Sequence, residues 1–199
     1  MPNGLKPIRS QQLPRPEQGF TLLELMMVLL VSSILAMLAL PAMQQFLQNQ
    51  RISSAATELI TGLNYARSEA IKEDVAVTGG GGVQLCASTG SGANPTCDSA
   101  NWATGWIVLS STSPVPLQLV GALQSPITLT TTPVNAAVAF QPNGTAPTLS
   151  VAGNGRIAFK LCDARGAQFA REVEVNLAGI IQASTVPGQD VSGAALTCP

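Results

Sequence analysis

One carboxylate of this 199-residue chain stands where water is scarce. Glu24 lies inside an apolar run, and no charged residue follows it until Arg51. A charge at the centre of a bilayer costs on the order of 2.5 to 3.5 kcal/mol, less near the end of a span, so an acid in this place calls for a partner or a function. The chemistry open to it is pairing with a cation. Four cysteines, Cys86, Cys97, Cys162 and Cys198, form no C-x-x-C pair, and in an exported domain four read as two disulfides. Free buried thiols are the alternative, and three connectivities are open. Cys86 with Cys97 and Cys162 with Cys198 is the favoured one, since the first closes a short Gly/Ser/Asn loop and the second ties down a C-terminal end. A third group, Arg156, Lys160, Arg165 and Arg171, is cationic, but Asp163, Glu172, Glu174 and Asp190 are interleaved with it. Phosphate contacts need unopposed cations.

Other chemistry is excluded by composition. Histidine is absent, which removes His-based general catalysis and the common His-containing zinc sites. Asp163 with Arg165 reads as a turn pair, Glu172 with Glu174 as a solvated strand face, and the many Ser and Thr have no His to activate them. The glycines Gly79 to Gly82 lack the Lys and following Ser or Thr of a phosphate-binding loop and open no helix. No enzyme, cofactor or metal is expected.

The elements that must position these residues fall into three stretches. Phe20 to Met43 is a run of 24 residues, about 36 Å as a helix at 1.5 Å per residue, enough for a bilayer core of roughly 30 Å. Its small residue, Gly19, precedes the run, whereas the cleavage site of an ordinary signal peptide follows it. Lys6, Arg9 and Arg15 precede the span with only Glu17 against them, which assigns the leader to the cytoplasm and the rest of the chain to the far side. Pro41 removes the donor that would have bonded the carbonyl of Met37, a bend or weak point near the membrane surface.

The helical pattern then resumes. From Gln44 to Asp74, Ile52, Ala56, Leu59, Leu63, Ala66 and Ala70 draw one apolar stripe. Past Asp74 the composition is that of strands, with candidates at Val75 to Thr78, Val83 to Cys86, Gly105 to Leu109, Ile127 to Thr131, Ala136 to Phe140, Arg156 to Cys162, Glu172 to Leu177 and Ile180 to Ser184. Arg156 to Cys162 and Glu172 to Leu177 alternate polar and apolar residues, so they form a hairpin whose polar face sets Lys160 and Arg156 near Glu172 and Glu174. Trp102 and Trp106 read as core or rim packing. Between Lys72 and Arg156 the only charges are Glu73, Asp74 and Asp98, which suits a domain packed among similar neighbours.

A basic leader followed by Gly19-Phe20-Thr21-Leu22-Leu23-Glu24-Leu25 and an apolar helix resembles the class III signal of type IV pilins and of the pseudopilins of type II secretion. Residue by residue, the resemblance implies cleavage by prepilin peptidase after Gly19 and N-methylation of Phe20. It also implies pairing of Glu24 with the N-terminal amine of a neighbouring subunit, and a helix kink at Pro41. Gly62-Leu63-Asn64-Tyr65-Ala66-Arg67-Ser68-Glu69-Ala70-Ile71-Lys72 and Trp102-Ala103-Thr104-Gly105-Trp106-Ile107-Val108-Leu109 are similar to segments of the subfamily that joins the H pseudopilin with the FimT and FimU minor pilins. Leu161-Cys162-Asp163-Ala164-Arg165-Gly166 looks more like the minor pilins.

The expected fold is α+β, a long N-terminal helix packed on an antiparallel β-rich head. The expected divisions are a leader at 1–19, a transmembrane helix at 20–43, an amphipathic helix at 44–74 and a periplasmic head at 75–199. Without the leader the chain carries seven basic and ten acidic residues. The implied function is structural, in assembly of a type IV pilus. The alternatives are the type II secretion pseudopilus and, through Arg156, Lys160, Arg165 and Arg171, DNA uptake. Members that bind DNA carry G-R-x-R after the strand matching Glu172 to Leu177, and here Gly179-Ile180-Ile181-Gln182 stands instead. Implied partners are prepilin peptidase, other pilins or pseudopilins, the inner-membrane assembly platform and membrane lipid.

Overall fold

The computed structural model of the chain describes residues 19–73, 82–89, 95–97, 102–113, 115–134, 137–147 and 155–198. The expected strand Val75 to Thr78, Asp98 and most of the four-glycine stretch lie outside them. The chain divides into two compact units, Met1–Gln44 and Gln45–Pro199. Helix α1, Leu22–Glu73, contributes its opening to the first and the remainder to the second.

In the first unit every residue from Gly19 to Gln44 is exposed, apolar ones included. By length and composition this stretch is long and apolar enough to cross a membrane. The helical assignment continues through Pro41 without interruption.

The second unit is built on two four-stranded antiparallel sheets. One has the order β3-β2-β1-β5, from β1 (Val83–Ala87), β2 (Trp106–Ser110), β3 (Gln118–Val120) and β5 (Val138–Phe140). The other has the order β4-β6-β7-β8, from β4 (Thr128–Thr132), β6 (Arg156–Cys162), β7 (Arg171–Asn176) and β8 (Ile181–Ala183). The stripe of α1 closes the core between them. Ile52, Ala56, Leu59, Leu63, Ala66 and Ala70 are buried with Leu85, Trp106, Val108 and Phe140 of one sheet and Phe159, Leu161, Val173 and Val175 of the other. The period of the stripe and the alternation along the strands meet in one apolar interior.

Gly62 sets how closely helix and sheet approach. A Cβ there would stand 3.0 Å from Trp106 Nε1 and 3.2 Å from Leu85 Cδ1, so a larger residue would require these side chains or the helix to give way.

The strands depart from the expected spans by a residue or two at most ends, and β3 is an addition. Its three residues follow Pro114 and Pro116, a composition that hides a short edge strand from a pattern search. The hairpin β6–β7 has the expected alternation, with Lys160 opposite Glu172 and Ala158 opposite Glu174. One expectation about its outer face is overturned. Glu172 is only 6% exposed, not solvated, because the segment from Asp190 to Thr197 covers it.

Candidate functional site

The start of α1 holds the residues to which the sequence assigned processing and assembly. Gly19 and Phe20 precede the helix and are exposed. Thr21 caps it: its Oγ1 accepts the Glu24 backbone N–H at 3.2 Å and its carbonyl accepts the Leu25 N–H at 3.1 Å. The T-x-x-E spacing of Thr21 and Glu24 is the signal that could have foretold this cap. Glu24 therefore stands in the first turn, where the partial positive charge of the helix end favours a carboxylate.

The Glu24 carboxylate itself has no hydrogen bond or ion pair among the described residues. The other polar side chains of the span are satisfied internally. Ser32 Oγ donates to the carbonyl of Leu29 at 3.0 Å and Ser33 Oγ to that of Leu30 at 2.8 Å. An apolar surround tolerates such hydroxyls, and it does not tolerate a lone charge.

In the second unit the cations of the C-terminal region are largely occupied. Arg156 pairs with Glu174 at 3.0 Å. Lys160 lies opposite Glu172 in register, yet its Nζ donates to the Thr197 carbonyl at 2.8 Å, so the expected pair is replaced by a tie to the C-terminal segment. Arg165 donates to Asp163 through Nε at 2.9 Å, donates to Asn49 Oδ1 of α1 through a terminal nitrogen at 2.7 Å, and lies over the Phe169 ring at 4.1 Å. The turn pair is thus also a clasp on the helix. The Arg171 side chain has no hydrogen bond or ion pair among the described residues. Among the described residues, Glu174, Asp163 and the Thr197 carbonyl thus occupy three of the four, whereas phosphate contacts need unopposed cations.

Burial holds the Glu172 carboxyl above the usual carboxylate range. The Val191 N–H, donating at 3.4 Å, opposes that rise, Asp190 and Glu174 add to it, and Lys160 opposes it. The nearby hollow, lined by Arg156, Lys160, Glu172, Asp190 and Thr197, mixes both signs. No group of three or more metal-ligating side chains occurs among the described residues.

Both pairs of cysteines are bonded. Cys86 joins Cys97 across a separation of 11 residues, and Cys162 joins Cys198 across 36. The second bond and the Lys160 tie fix the segment that covers Glu172. Pattern reasoning missed a further residue, Arg67. Its Nε donates to the Gly144 carbonyl at 3.1 Å, and Gly179, at φ +73°, passes so close to that carbonyl that no Cβ would fit. This gives the A-R-S-E-A segment a structural role, pinning the loop before Ala146 to α1.

The family model described as type II transport protein GspH matches residues 55–179, from the buried stripe of α1 to the turn before β8. The chain belongs to the GspH family. A second model, the prokaryotic N-terminal methylation motif, matches residues 14–40 and so contains Gly19, Phe20 and Glu24. Two crystal structures of the type IV minor pilin FimU of Pseudomonas aeruginosa strain PAO1 are similar to this GspH-family chain, with TM-scores of 0.54 and 0.52. Each is 24% identical, and they cover 77% and 74% of this chain and 99% of the solved chains. That likeness establishes the pilin-type fold. No curated protein matches the sequence. Domain and motif together make the chain a minor pilin or pseudopilin, a fibre subunit with a membrane-spanning type of helix.

Proposed function

We propose that the mature protein is a minor pilin of a type IV pilus, produced by prepilin peptidase cleavage after Gly19 and methylation of Phe20. The observation that carries this reading is the Glu24 carboxylate, unpartnered among the described residues, in an apolar helix whose hydroxyls are otherwise satisfied. Joining the fibre supplies a counter-charge. The newly freed amine of Phe20 on an adjacent subunit neutralises Glu24, so insertion is coupled to removal of a charge from a low-dielectric surround.

In this reading residues 1–19 are the leader, 20–43 anchor the chain in the inner membrane, 44–74 continue the helix and 75–199 form a periplasmic head. The basic leader supports that orientation. The assembly platform and other pilins are the partners, with Pro41 as the point where the helix can bend.

N-terminal sequencing of the protein recovered from membranes tests the cleavage. A chain beginning at Phe20 with a methylated amine is expected, and one beginning at Met1 would overturn the reading. The type II secretion pseudopilus is the second reading, favoured by the description of the matching family. Deletion of the protein separates the two, since loss of surface fibres supports the first and loss of exported protein the second.

A further inference from the structure

A hollow of about 350 Å³ lies beside the part of α1 that follows the apolar run. Asn49 and Ile52 of α1, Gln168 and Phe169 ahead of β7, Arg171 at the start of β7, and Pro187 line it. Arg171 stands on the inner face of its strand. Alternation along β7 sets it with Val173 and Val175, which are buried in the core, and apart from Glu172 and Glu174. Its side chain is half-buried there, with neither hydrogen bond nor ion pair among the described residues.

The neighbouring cation is already engaged. Arg165 lies over the Phe169 ring, donates to Asp163 and donates to Asn49 Oδ1. With that oxygen turned to Arg165, the Asn49 amide nitrogen has no acceptor among the described residues, and neither has the exposed Gln168 amide. No acid lines the hollow, so it presents one unopposed guanidinium and two amide donors. One free cation matches one phosphate, whereas a nucleic-acid strand needs several.

Apolar side chains stand near the polar ones. Phe46, one turn before Asn49 on the same helix face, and Val186, beside Pro187, are 54% and 47% exposed. Such surroundings suit an amphiphile better than a soluble anion. Six residues separate Asn49 from Met43, the end of the apolar run, a contour of about 9 Å in helix. The headgroup layer is about 5 to 8 Å thick on each side of a bilayer core, and arginine carries its charge outward on a long apolar stem.

The geometry points to a lipid site in which the hollow takes the phosphodiester of an anionic phospholipid headgroup. Arg171 pairs with the phosphate, and the Asn49 and Gln168 amides donate to its oxygens. Phe46 and Val186 lie against the glycerol and the first methylenes. The inference rests on the anchoring of residues 20–43 proposed above. A zwitterionic lipid fits less well, because its ammonium would stand beside Arg171. The contact holds the second unit at the bilayer while the helix is anchored, and it is given up when the chain moves into a fibre.

Phenylglyoxal, which modifies free guanidinium groups, tests the contact through the rate at which each arginine reacts, followed by peptide mass spectrometry. The full chain is compared in maltoside micelles, in nanodiscs of mixed phosphatidylglycerol and phosphatidylcholine, and in nanodiscs of phosphatidylcholine alone. Arg171 is expected to react about ten-fold more slowly in the mixed nanodiscs than in micelles, the scale of a hydrogen-bonded ion pair. Arg51, exposed and unpaired among the described residues, lies two positions from Asn49 but does not line the hollow, and its rate should change little. Equal slowing of both arginines would be a general surface effect and would overturn the proposal, as would equal slowing of Arg171 in phosphatidylcholine alone. Protection in micelles by glycerophosphoglycerol, the same headgroup without acyl chains, would overturn it in favour of a soluble ligand. Unslowed Arg171 in a chain that co-elutes with the mixed nanodiscs would overturn the site and leave the anchoring intact. A chain that does not enter nanodiscs would overturn the anchoring, and the lipid site with it.

Discussion

Leu29 and Leu59 lie on the same helix and meet opposite conditions. Leu29 belongs to a stretch in which every side chain is exposed, whereas Leu59 is sealed between two sheets. Charges divide in the same way. In the second unit Asp163, Glu174 and Glu69 each have a cationic partner, while Glu24 in the first has none among the described residues. The second unit buries an apolar core and pairs several of its acids, and the first leaves its apolar side chains and Glu24 for its surroundings. Stability and assembly therefore depend on different ends of one helix, and substitutions should separate them.

The largest effect is expected from Glu24→Ala. The variant should insert into membranes as the parent does, or better, since a charge has been removed, and yet be absent from sheared fibres. Incorporation at the parent level, measured by immunoblot of the fibre fraction, would defeat the idea that Glu24 awaits another copy's amine. The converse change is Leu63→Ala, which opens a cavity beneath the sheets and should cost about 2 to 5 kcal/mol in chemical unfolding while leaving membrane insertion unchanged.

Next in size is Arg165→Ala. Asp163 has a side chain only 5% exposed, and stripping its partner leaves a nearly buried carboxylate, a loss of order 3 kcal/mol by the same unfolding measurement. Loss of the Asn49 contact should show first as faster amide exchange near the head end of α1, not in the apolar opening.

The smallest effect is a pH slope. Because burial raises the folded-state pKa of Glu172 above its unfolded value, the folded form binds the proton more tightly. Its contribution is fully present below the unfolded pKa and is lost as pH rises through the folded one. Unfolding midpoints should therefore fall as pH rises from about 4.5, and Glu172→Gln should flatten that part of the profile. An unchanged slope would show that Glu172 is well solvated.

How much of this was legible from the sequence depended on range. The apolar run and the stripe from Ile52 to Ala70 are local periodicities, and the stripe residues are the ones buried. The hairpin of β6 and β7 was equally plain, being two alternating strands around one turn. What escaped was long-range. The burial of Glu172 depends on a segment closed over it by the Cys162 to Cys198 bond and the Lys160 to Thr197 tie, and strand alternation carries no trace of that. Arg67 carries no local sign of its structural role, because its acceptor, the Gly144 carbonyl, is 77 residues away. β3 was obscured by its prolines. At the helix start, the T-x-x-E spacing of Thr21 and Glu24 is local and readable.

The seat of Trp106 against Gly62 has an optical consequence. Both indoles of the chain are buried in the second unit, and neither Nε1 has a hydrogen-bond partner among the described residues. Intrinsic fluorescence of the intact protein thus comes from a dry environment and is blind to the anchor. A red shift in emission would register helix lifting from sheet, even within a fibre, without any added dye.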